Sequence, residues 1–136
     1  MDLNTSLHRL DEARVKERLL YLEEQLAVLF PFRDNPALLE SLAKDRLGYG
    51  GALYALQTSI QAMLDIAFHL CAKFYLKAPE SSTDAFEILA EHGDIPADFL
   101  ATAREMVRFR NLLVHGCLHT KPGALVFFTF TGSEAL

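Results

Sequence analysis

Apolar residues recur at helical spacing along most of this chain. Between Leu7 and about Phe30, the residues Leu10, Leu19, Leu22, Leu26 and Leu29 share one stripe, and Arg14, Lys16, Glu17, Glu23 and Glu24 fill the rest. That pattern predicts an amphipathic helix. Pro31 ends it, and Arg33-Asp-Asn-Pro36 is turn chemistry. A second, longest helix is predicted from Pro36 or Ser41 to about Lys77. Gly48, Gly50 and Gly51 fall inside it and predict a kink or break there. From Leu53 to Leu76 it is apolar on most sides, so burial on more than one face is expected. Ala78-Pro-Glu-Ser-Ser82 ends it. Thr83 is then expected to cap a short helix through Glu91, which Gly93 closes. Asp94-Ile-Pro96 opens a last helix from about Ala97 to about His115, with the proline near its first turn.

The tail departs from this periodicity. Lys121-Pro-Gly123 is a turn, and Leu125-Val-Phe-Phe-Thr-Phe-Thr131 is rich in β-branched and aromatic residues, which predicts a short strand or an apolar extended arm. The fold class expected is therefore all-α. A small bundle of four main helices spans residues 1–120, followed by an irregular or strand-like tail over 121–136.

Composition narrows the function classes. A chain of 136 residues fits one domain with a real core. The net charge of -5 argues against a general nucleic-acid coat, though not against a local basic patch. Cys71 and Cys117 sit in apolar helical contexts without metal spacing, so free thiols in a cytoplasmic protein are expected. The N-terminus shows no basic segment followed by an apolar core, and no run is long enough to span a membrane. No metal site or other cofactor is expected. No His/Cys/Asp cluster has ligand spacing, and no glycine-rich phosphate loop follows a strand.

The chemistry concentrates in Met106-Val-Arg-Phe-Arg-Asn-Leu-Leu-Val-His-Gly116. Arg110, Asn111 and His115 stand among Phe109, Leu112, Leu113 and Val114, where polar groups are costly to bury without a partner or a task. Together they offer a fixed cation, an amide anchor and an imidazole that titrates near neutrality. At about 100° per residue, Arg104, Arg108, Asn111 and His115 share one narrow stripe, while Arg110 lies about 140° from His115 with a stem long enough to reach back. Apolar residues occupy both remaining arcs: Met106, Phe109, Leu112 and Leu113 on one side, Val107 and Val114 on the other. One face suits the chain's own bundle, and the other suits a second copy of the chain. On the long helix, Gln57, Gln61, Asp65, His69 and Lys73 recur every four residues and form a polar face. Asp65 is the member suited to support an arginine of the last helix.

Arg110-Asn111 followed by Leu-Leu-Val and then His115, on the last long helix of a small all-α domain, resembles the HEPN superfamily of ribonucleases and, within it, the HepT-like toxins. Ile60-Gln-Ala-Met-Leu-Asp-Ile-Ala67, Ser82-Thr-Asp-Ala-Phe-Glu-Ile-Leu-Ala-Glu91, Ile95-Pro96 and Met106-Val-Arg-Phe-Arg-Asn111 are similar to that family as well. The likeness runs from about Leu10 to His115. Two features depart from it. The family carries a tyrosine two residues after the histidine, where a partner nucleotidyltransferase attaches nucleotides; here Cys117 stands at that position. The family also tends to end in another amphipathic helix, and residues 123–136 do not match one.

What the resemblance implies is a metal-independent endoribonuclease toxin working as a homodimer, neutralised by a nucleotidyltransferase antitoxin. Arg110, Asn111 and His115 would be catalytic, and RNA would be cut through its 2′-hydroxyl to a 2′,3′-cyclic phosphate. Arg104 and Arg108 would form an RNA-facing edge. Two other readings compete. The same stripe would serve a non-catalytic helical partner, or nucleotide-binding module, of a nucleotidyltransferase. Alternatively, Arg110, Asn111 and His115 would form a structural polar network pinning a helix pair in a homodimer.

Overall fold

Proline, glycine and short polar side chains set most of the helix ends. The computed structural model describes residues 3–114. Five α-helices lie in that span: α1 Leu3–Leu29, α2 Pro36–Lys44, α3 Arg46–Tyr75, α4 Ser82–Glu91 and α5 Phe99–Val114. A 3₁₀ turn over Phe30–Phe32 follows α1, with Pro31 in its first positions. No strand occurs among the described residues. The tail, whose strand-like pattern was noted above, lies outside them.

The expected long second helix is two helices. The break falls at Asp45, one residue before α3, and not within the glycines. Asp45 adopts φ -96° and ψ 102°, and its carbonyl accepts from Tyr49 N at 2.8 Å. Gly48 leaves room for side chains at this junction. A Cβ there would meet Asp45 Oδ2 at 2.5 Å and Leu42 Cδ1 at 3.1 Å. The glycine therefore admits the neighbouring turn, and the helix continues through it.

Two further ends differ from expectation. Ser81, not Thr83, caps α4: its hydroxyl accepts from Asp84 N at 3.1 Å. Asp84 Oδ2 accepts in turn from Glu80 N at 3.0 Å, one residue before the cap. Pro96 precedes α5, and its carbonyl accepts from Phe99 N at 3.1 Å. Gly93 closes α4 as expected, at φ +79°. There Asp94 N donates back to Leu89 O at 2.9 Å.

Helix α3 is the centre of the bundle, packed by α1, α2, α4 and α5. Its buried residues include Ala52, Ala55, Ala62 and Ala67, small side chains that let neighbouring helices come close. Ile60, Leu64 and Cys71 fill the space between them. From α4 come Phe86, Ile88 and Leu89, and from α5 Phe99, Ala103, Met106, Val107 and Phe109. Only part of the α1 stripe is buried: Leu22 and Leu29 are inside, whereas Leu19 is 44% exposed. No helix among the described residues is long and apolar enough to cross a membrane.

Candidate functional site

Helix α5 presents two different surfaces. Phe99, Ala103 and Met106 are buried against the bundle, and Arg104, Arg108 and Asn111 face outward. At about 100° per residue, Arg110 falls within about 40° of Phe99, Ala103 and Met106, so its stem starts from the packed face. The side chain is half-buried. Nη2 donates to Gln61 Oε1 on α3 at 2.8 Å, and Nη1 donates to Asn111 Oδ1 at 3.1 Å. Its Nε is buried without a hydrogen-bond partner. Arg110 and Asn111 are thus brought together although they point to different sides of the helix. Among the described residues, both partners of Arg110 are neutral amides. The two amides hold its charge in place.

The polar line continues away from α5. Gln61 Nε2 donates to Asp65 Oδ1 at 2.9 Å, and Asp65 Oδ2 lies 3.9 Å from Arg18 Nη1 on α1. Asp65 therefore does not pair with Arg110, the arrangement the sequence suggested. Four residues of α3 bring it one turn past the arginine, and Gln61 fills the interval. Gln61 carried a signal in the sequence, the four-residue recurrence on α3, but that recurrence reads equally as a solvated face.

On the outward side an open groove of ≈ 490 Å³ is lined by Thr83, Arg104, Val107, Arg108, Asn111 and Leu112. Thr83, expected to be a cap, sits in the first turn of α4 and forms one wall. Arg104 Nη2 pairs with Glu87 Oε1 at 3.0 Å, and Arg108 Nη1 with Glu105 Oε1 at 3.4 Å. The two arginine side chains are 55% and 74% exposed. Exposed pairs of this kind contribute about 0–1 kcal/mol each, so an incoming anion can replace the carboxylates. The second apolar arc expected on α5 is smaller than the sequence suggested. Val107 is buried in the chain's own core, and Leu112, 46% exposed, is the large apolar residue on the open side. His115, Cys117 and the residues after them lie outside the described residues.

Residues 22–125 match the family described as Ribonuclease HepT-like. The chain is 37% identical over 60 residues to the mRNA nuclease HepT of Shewanella oneidensis, a stretch covering 44% of this chain and 45% of that protein. The matched region thus spans less than half the length of that curated relative. Two solved structures share the fold. One is a toxin-antitoxin with AMP-PNP and the other a mutant of the toxin-antitoxin MntA-HpeT. Each aligns with a TM-score of 0.76 and 21% identity over 89% of this chain and 89% of that chain.

Proposed function

The chain belongs to the HepT-like ribonuclease family, and on that footing we propose that it is an endoribonuclease toxin of a toxin–antitoxin pair. The observation that carries this reading is the state of Arg110. It is fixed by two neutral amides, one of which, Asn111, also lines the open groove with Arg104 and Arg108. A cation so held suits a phosphodiester, because its charge remains free for an anion and its planar donors are pre-oriented.

RNA carries its own nucleophile. The 2′-oxygen attacks the adjacent phosphorus, the bond to O5′ breaks, and a 2′,3′-cyclic phosphate and a 5′-hydroxyl are left. In this scheme His115 takes the 2′ proton as general base. Arg110 binds the phosphoryl oxygens and stabilises the charge that grows on them. Asn111, hydrogen-bonded to Arg110 and four residues before His115, orients one or both. His115 of the partner subunit in a homodimer returns a proton to O5′. Arg104 and Arg108 guide the flanking backbone. No metal is needed for any of these steps.

The antitoxin is taken to be a nucleotidyltransferase. Cys117 stands where the family's modified tyrosine would be, so control through that position would require a different residue here. The test is cleavage of RNA in excess chelator by the wild type and by His115→Ala. The expected result is cutting by the wild type and a loss of at least ~100-fold in the variant, the range for removing a general acid–base group. Equal cutting by both would remove His115 from the mechanism.

A further inference from the structure

We propose that Gln61 is the positioning residue that aims Arg110, a role that rests on the ribonuclease reading above. A guanidinium can only donate, and an ionised carboxylate can only accept. Gln61 stands between one of each: its Oε1 takes the Arg110 Nη2 hydrogen at 2.8 Å, and its Nε2 gives a hydrogen to Asp65 Oδ1 at 2.9 Å. A neutral amide can satisfy both at once, and the two neighbours leave it a single orientation. Asp65 is itself anchored toward Arg18 on α1. The line therefore ties the arginine of α5 to the central helix and, through it, to α1.

The amide also keeps charge apart. A carboxylate touching Arg110 directly would hold it equally well and would compete with phosphate. With Gln61 in between, the negative charge of Asp65 stays one residue removed, and Arg110 is oriented while its charge remains available. An apolar residue at 61 would leave Nη2 without its acceptor, with Asn111 as the remaining partner among the described residues. Misplacing a reacting group by about 1 Å can lower the rate ~100-fold.

Three variants separate the possibilities: Gln61→Leu, Gln61→Met and Gln61→Glu. Order at Arg110 is read directly from the ¹⁵N relaxation of its Nε–H, assigned by the signal lost in Arg110→Lys. The expected result is an ordered Nε in the wild type and in Gln61→Glu, and a mobile one in the leucine and methionine variants. In chelated RNA cleavage, the leucine and methionine variants should lose about 10-fold to 100-fold in kcat with KM within about 3-fold. Gln61→Glu should raise KM, because its carboxylate occupies the arginine. Wild-type order at Arg110 in Gln61→Leu or Gln61→Met would overturn the proposal. So would collapse of the thermal melt in both, which would make Gln61 a packing residue. A wild type that cuts no RNA would defeat the ribonuclease reading, and the relaxation data would still decide whether Gln61 holds Arg110.

Discussion

Arg110 is the residue on which the functional reading turns, and its position sets a measurable contrast. Its stem leaves α5 on the packed side, between buried neighbours, yet its head group meets only Gln61 and Asn111 among the described residues. A structural arginine would be missed by the fold, and a functional one would not. Methionine has a similar unbranched stem and no charge, and the acceptors it leaves behind, on half-buried Gln61 and exposed Asn111, can turn to water. Arg110→Met is therefore expected to cost about 1 kcal/mol, the net worth of an ordinary hydrogen bond. The same change should lower RNA cleavage by ~100-fold to ~1,000-fold, the range seen when a transition-state donor is removed. Thermal melts and cleavage rates on one preparation give both numbers. A large fall in melting temperature would identify Arg110 as a structural anchor.

At the level of elements, the join between α3 and the α4–α5 connection makes its own prediction. Tyr75 Oη donates to Asp94 Oδ2, and the Tyr75 ring stacks on His92 with centroids 3.6 Å apart. The hydrogen bond to Asp94, with burial and the charge of Asp94 adding to it, raises the Tyr75 phenol above its ordinary value of 10.0. A raised folded value means that the stabilisation is fully present below pH 10.0 and is lost as pH climbs through the folded value. Tyr75→Phe should thus melt below the wild type at pH 7, and the gap should narrow above pH 10. A gap constant to pH 11 would show that this bond does not contribute.

The same elements show what was legible beforehand. Helix type and the central role of the long apolar segment followed from periodicity, because burial and period are the same signal. The break at Asp45 did not, since the glycines were the visible break signal and the helix runs through them. Arg110 and Asn111 stood out as polar residues in an apolar run. Gln61 did not, because a glutamine on a four-residue polar repeat looks the same whether it faces water or an arginine 49 residues away. Which apolar arc of α5 faces the bundle was not legible either: Met106, Phe109 and Val107, drawn from both arcs, are all buried.

For the whole molecule, the account requires two chains. One imidazole removes the 2′ proton and a second protonates the leaving oxygen, so a homodimer joined near α5 is expected, with Leu112 on the open side as a contributor. Sedimentation at micromolar concentration should show a dimer, and a monomer that nevertheless cleaves RNA would remove the composite site. The chemistry itself is tested most directly by the ends of the products. RNA carrying a single 2′-deoxy substitution at a mapped cut site is compared with the unsubstituted strand, in excess chelator, with products analysed by mass spectrometry. The account predicts 2′,3′-cyclic phosphate and 5′-hydroxyl ends from the unsubstituted strand, and no cut at the deoxy position. Cleavage of the deoxy strand at that position, or products bearing 3′-hydroxyl and 5′-phosphate ends, would contradict it.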